Sequence, residues 1–152
     1  MFLLDTNVVS ELRRATFGKA DPGVTAWAAA VPPESLFLSA ITILELEHGT
    51  LLVERRDPVQ GARLRAWIQG SVLPAFSGRI LPVDTDVAIR CAALHVPDPR
   101  PDRDALIAAT ALVHAMTVVT RNVADFGPTG VRLLNPWGSG AVGLAGVPVS
   151  NQ

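Results

Sequence analysis

Five short apolar runs, none alternating with polar residues, recur along the chain with longer helix-patterned stretches between them. The runs are Phe2–Leu4, Ser35–Ser39, Arg79–Val83, Thr117–Thr120 and Val131–Leu134. Runs this short and this uniformly apolar are what strands covered on both faces require. The stretches between them are Asn7–Arg14, Gly23–Val31, Thr42–Arg55, Pro58–Phe76, Thr85–Leu94 and Asp102–Met116. This alternation predicts an α/β fold of three layers, a mostly parallel sheet of about five strands flanked by helices. In such folds functional groups collect beyond the carboxyl ends of the strands, where the strand order reverses.

The alternation runs to Trp137 without a linker, so 1–137 reads as one domain. Asp21-Pro22, Pro32-Pro33, Asp57-Pro58 and the proline-rich stretch 96–101 mark turns between elements. After Trp137 the composition turns Gly-rich, and residues 138–152 are expected to form a flexible tail.

The net charge of −1 argues against a generally basic nucleic-acid coat. Lys19 is the one lysine among 13 basic residues, which removes most candidates for a phosphate-loop lysine or a Schiff base. Cys91 stands alone, so an internal disulfide and a cysteine metal cluster are excluded, and its apolar setting suggests packing. His48, His95 and His114 show no paired ligand spacing and read as surface or helix-packing residues. The start, MFLLDTNVVSEL, has no basic leader, and no apolar window reaches ~18 residues. A cytoplasmic protein without membrane contact is expected. Mean hydropathy is +0.32, which suits apolar surface covered by a partner or a large aliphatic core.

Four acids carry the chemistry. Asp5 ends the first apolar run, where it also suits a helix cap. Glu45 lies in Thr42-Ile-Leu-Glu45, a capping-box pattern. Glu47 sits about 200° further round the same helix, and local pattern does not decide which of the two faces the strand ends. Asp104 lies in a first helical turn that the macrodipole favours for acids, with Asp102 the better cap. Asp125 follows the run Thr117–Thr120, where a turn-forming role is the plain alternative.

A parallel sheet would bring all four to one edge. Two carboxylates ~4 Å apart repel by roughly 4 kcal/mol at an effective dielectric of 20. Divalent cations relieve that repulsion, and Mg²⁺ or Mn²⁺ takes carboxylate oxygen and water as ligands. Such an ion activates water and neutralises a phosphodiester oxygen.

Leu-Leu-Asp5-Thr-Asn7-Val-Val-Ser-Glu-Leu, Ser-Ala-Ile-Thr-Ile-Leu-Glu45-Leu-Glu-His-Gly, Asp104-Ala-Leu-Ile-Ala-Ala-Thr-Ala and Val-Thr120-Arg-Asn122-Val-Ala-Asp125-Phe form an ordered set. Together with the closing Leu-Asn-Pro-Trp137, the set resembles the PIN-domain toxins of the VapC family, on the branch that includes FitB. The likeness spans Met1 to about Trp137, and the ordered set is far more specific than any one motif. It implies a PIN-type fold and a Mg²⁺- or Mn²⁺-dependent endoribonuclease. It selects Glu45 over Glu47 and Asp104 over Asp102, with Asp5 and Asp125 completing the ligand quartet. Asn7, Thr120 and Asn122 match positions that hydrogen-bond to the acids or their waters. The resemblance further implies a homodimer, RNA as substrate, and neutralisation by a small VapB-type antitoxin that alone contacts DNA. Arg13-Arg14, Arg55-Arg56, Arg100 and Arg103 are candidate phosphate guides, or ordinary solvated and antitoxin-facing arginines.

Two other readings compete. Haloacid-dehalogenase phosphatases and phospho-receiver domains also open with a strand ending in Asp. The former need a second aspartate where Asn7 stands, and both need a late lysine. A non-catalytic RNA- or partner-binding module is the more serious rival, and the intact quartet argues against it.

Overall fold

The computed structural model describes residues 1–138. The sheet has five strands: β1 (Phe2–Leu4), β2 (Leu36–Ser39), β3 (Ile80–Leu81), β4 (Thr117–Val119) and β5 (Leu133–Leu134). Their order is β3-β2-β1-β4-β5, and every pair is parallel. From β1 the chain builds outward to β3, then returns to place β4 on the other side. The order therefore reverses between β1 and β4, the place where a parallel sheet opens a crevice.

Helices α1 (Thr6–Ala15), α2 (Pro22–Ala30), α3 (Ala40–Arg56) and α4 (Pro58–Trp67) come first, followed by a short turn α5 (Leu73–Ala75). Then come α6 (Thr85–Leu94), α7 (Asp102–Val113) and α8 (Val123–Phe126). Two 3₁₀ turns, Pro33–Ser35 and Gly127–Thr129, complete the connections. Successive strand residues face opposite layers. Leu4, Leu36, Leu38 and Val119 pack with Val8, Trp27 and Leu46 on one side. Leu3 and Val118 pack with Ile107, Ala108 and Phe126 on the other. Ala105, Ala108, Ala109 and Ala111 are fully buried, so α7 lies close against its neighbours.

The structure departs from the sequence expectation in instructive places. The third and fifth strands shrink to two residues each, because each lies at a sheet edge with one neighbour. The expected helix Pro58–Phe76 is continuous only by way of a widened π turn at Ile68–Val72. Pro74 has no N–H for the Gly70 carbonyl, so a regular turn cannot continue there. The helix expected to reach Met116 stops at Val113. Ala115 takes a left-handed conformation (φ 53°), with Met116 N–H donating to Ala111 O (2.9 Å) and Ala115 N–H to Leu112 O (3.3 Å). That paired closure turns the chain straight into β4. The capping-box reading of Thr42 and Glu45 is corrected, since Ser39 caps α3 through Ile41 N–H (3.0 Å) and Thr42 lies inside the helix. Asp102 is likewise not a cap, because α7 begins with Pro101 at that position and Asp102 sits in the first turn. The tail expected at 138–152 lies outside the described residues apart from Gly138.

Ala115 is exposed and carries a Cβ in a region that glycine occupies freely. Ala115→Gly is expected to raise unfolding stability by roughly 0.5–1.5 kcal/mol in urea titration, as relief of left-handed strain would.

Candidate active site

Beyond the reversal point lies a cleft of about 500 Å³ whose walls include Asp5, Glu45, Asp104, Asn7, Asn122 and Trp137. Asp5 is the residue immediately after β1, and its N–H still pairs with Val119 O (2.9 Å). The sheet thus fixes its backbone before its side chain is used. One carboxylate oxygen accepts from Thr6 N–H (2.8 Å) and caps α1. The other accepts from Thr120 Oγ1 (2.8 Å) and Asn7 Nδ2 (3.3 Å). Thr120, fully buried, is the residue after β4, so two adjacent strand ends are joined by this contact. Asp5 therefore caps α1 with one oxygen, as the sequence allowed, and turns the other to Thr120 and Asn7 at the cleft.

Glu45 projects from α3 into the same cleft, where Thr6 Oγ1 donates to it (2.8 Å) and Arg103 stands 3.9 Å away. Glu47 points elsewhere: Arg65 of α4 donates to both of its oxygens (2.6 and 2.5 Å) and also holds Glu54 (2.6 Å). Geometry thereby decides what local pattern left open. Asp104 enters the cleft from the first turn of α7, whereas exposed Asp102 lies 3.5 Å from His95 outside it. Asp125 sits in α8 at the rim, exposed, accepting from Asn122 Nδ2 (2.6 Å). Asn122 N–H in turn donates to Thr120 Oγ1 (2.9 Å), which ties the rim to the Asp5 network.

The electrostatics are those of crowded acids. Burial, then the charges of Asp5, Asp125 and Glu45, push Asp104 up to about 6. Burial also raises Asp5, against the pull of the Thr120 and Thr6 hydrogen bonds, and Glu45 adds to the rise. Asp125 thus acts on Asp104 without being a wall of the cleft. The donors offered are hard oxygens throughout, from Asp, Glu, Asn and Thr, which suits Mg²⁺ or Mn²⁺. Among the described residues no three acidic, histidine or cysteine side chains stand close enough together to hold an ion between them. Mg²⁺ tolerates that, since it keeps several waters and takes one or two carboxylates.

A model of the PIN domain matches residues 2–126. The chain belongs to the PIN domain family. It is 39% identical to the VapC ribonuclease Y4jK of Sinorhizobium fredii over 145 residues, covering 90% of this chain and 98% of that protein. It is 40% identical to toxin FitB of Neisseria gonorrhoeae over 144 residues, covering 90% and 99%. The crystal structure of FitAcB from the same organism superposes with a TM-score of 0.81 at 37% identity, covering 90% of this chain and 99% of that one.

In this PIN domain the candidate arginines divide. Arg13 lies over Phe17 and Trp67, Arg14 pairs with Glu11 (3.4 Å), and Arg100 donates to Leu94 O (3.0 Å). Of that group, Arg103 alone among the described residues reaches one of the four candidate acids, Glu45. Sequence reasoning passed over Thr6, Arg121 and Trp137, all of which line the cleft. Thr6 and Arg121 had a signal, each flanking a quoted motif residue. Trp137 closed the quoted motif set, but nothing in the sequence set it against the cleft, because its approach depends on how the chain closes over α2. Cys91 is buried as expected, its thiol raised by burial and the Asp102 charge.

A carboxyl whose folded pKa exceeds its unfolded one keeps its proton longer in the folded chain, so stability falls as pH rises between the two. For Asp104 that window runs from 3.8 to about 6. Without metal, Asp104→Asn is expected to melt above the parent near neutral pH, and the advantage should vanish at about pH 4. Equal melting curves at both values would contradict the crowding described here.

Proposed function

We propose that the chain is the toxin of a type II toxin–antitoxin pair, an endoribonuclease that hydrolyses RNA phosphodiester bonds with Mg²⁺ or Mn²⁺. The observation that carries this reading is the convergence of Asp5, Glu45 and Asp104, from three separate elements, on one cleft, with Asp125 acting on Asp104 from the rim. A pocket in which neighbouring carboxylates help raise Asp104 and Asp5 is one that a divalent ion would stabilise. The names VapC ribonuclease and toxin FitB support the activity and the toxin role.

Asp5 and Asp104 would be the principal ligands, with Glu45 and Asp125 completing the set. A bound ion supplies an activated water and neutralises charge on the phosphodiester oxygen. The chain's own part is orientation. Thr120 and Asn7 fix one oxygen of Asp5, Thr6 fixes Glu45, and Asn122 fixes Asp125. These contacts restrict rotamers before substrate arrives, which lowers the cost of assembling the reactive geometry.

The partner is a cognate antitoxin, a reading supported by FitAcB and by a toxin–antitoxin complex from Klebsiella pneumoniae (27% identity, TM-score 0.63). A homodimer follows the same family pattern, with DNA reached through the antitoxin.

Freed of antitoxin, the protein should cut labelled RNA in Mg²⁺ or Mn²⁺ and stop in EDTA. Asp5→Asn and Asp104→Asn should each slow cleavage by at least about 100-fold, and Thr120→Val by about 10–100-fold. Parent-like cleavage by both Asp variants would end the assignment. Cleavage that persists in EDTA would end the metal reading.

A further inference from the structure

The cleft has an unsolved problem of sign. Asp5, Glu11, Glu45 and Asp104 line it, and the substrate it is read to accept is a polyanion. Arg121 is the one cationic side chain on its wall among the described residues. Its guanidinium carbon lies 5.6 Å from the centroid of the Trp137 ring.

We propose that Arg121, held over Trp137, is the phosphate anchor of the cleft, gripping a phosphodiester of the RNA strand beside the one being cut. This rests on the nuclease reading and extends it to how the strand is held.

Three observations support the assignment. First, Arg121 is uncommitted. Among the described residues the arginines within 4.0 Å of a carboxylate are Arg14, Arg65 and Arg103, each with its own glutamate partner. Second, the cation–π contact with Trp137 uses no N–H donor of the guanidinium, so those donors remain available to a phosphate. Arginine then offers a planar fork that matches two phosphate oxygens. Third, both members of the pair are fixed relative to the acids. The Arg121 backbone N–H donates to Asn7 Oδ1 (3.4 Å), and its neighbours Thr120 and Asn122 belong to the Asp5 network. Trp137 packs against the core, and its N–H donates to Asn135 Oδ1 (3.0 Å). Gly23 at the start of α2 lets this closing segment in: a Cβ there would meet Gly138 O at 2.2 Å and Pro136 O at 2.5 Å.

The test is binding of an end-labelled single-stranded RNA in Ca²⁺, followed by anisotropy across a salt series, with cleavage in Mg²⁺ measured in parallel. Arg121→Gln should weaken binding roughly tenfold and flatten the slope of log K against log salt by about 0.7, the value for one lost single-strand phosphate contact. Arg121→Lys should restore the slope and only part of the affinity. Trp137→Leu should weaken binding while the slope holds, because the charge remains but its platform is gone. In cleavage, Arg121→Gln should raise KM far more than it lowers kcat. Arg121 is exposed, so its variants should melt with the parent.

Parent-like affinity and slope in Arg121→Gln, with a wild type that binds and cuts RNA, would overturn the anchor alone. A wild type that neither binds nor cuts RNA would overturn the nuclease reading and the anchor together. Loss of antitoxin affinity in Arg121→Gln with RNA binding intact would make the residue a protein contact and overturn the proposal.

Discussion

Asp5 is held where two strands end, and nearly everything else in the site takes its position from that carboxylate. Its backbone belongs to the sheet through Val119, one oxygen begins α1, and the other gathers Thr120 and Asn7. A side chain only 6% exposed that carries charge must be hydrogen-bonded, and this one is bonded three times. Those bonds do not cancel the cost of burial, since the group is still pushed toward its protonated form. The fold therefore keeps an electrostatic deficit at its centre, held in place by packing on both sides of the sheet. Charge deficits of this kind concentrate at sites built for a cation or a proton transfer.

The topology explains why distant acids share that deficit. With β1 central and β4 beside it, the residues after both strands point into one crevice. Helix α3 leaves β2 and α7 leads into β4, and these two neighbouring helices deliver Glu45 and Asp104 to the cleft. Arg65, gripping Glu47 and Glu54, braces the far side of α3 against α4. Gly61 permits that approach, because a Cβ there would meet the Glu54 backbone at 2.5 Å. With Ile41, Thr42, Leu46 and Thr50 buried on its inner face, α3 turns Glu45 to the cleft and Glu47 to Arg65.

The layered α/β architecture, the parallel pairing and the interior ends of the strands were legible in the sequence because apolar runs report burial directly. Asp5 was legible for the same reason, standing where an apolar run stops. Choices between near neighbours were not. Glu45 against Glu47 depends on Arg65, eighteen residues away. Asp104 against Asp102 depends on which turn of α7 faces the cleft. In the sequence both choices rested on family likeness; in the structure Glu45 and Asp104 line the cleft, while Glu47 and Asp102 pair elsewhere. Ends of elements were misread where tertiary demands outweigh propensity: the left-handed turn at Ala115 closes α7 early, and the π turn precedes Pro74. Trp137 was noticed only as the close of the motif set, because a lone aromatic carries no periodic signal of what it packs against.

The two outermost strands are only two residues long, and each is paired on a single side. A foreign strand seeking to extend the sheet would find almost no ladder to copy. Association through backbone pairing is thereby discouraged at both margins. Among the described residues, helix surfaces offer apolar area instead, where Leu51, Leu52, Val59 and Ile89 stand open to water.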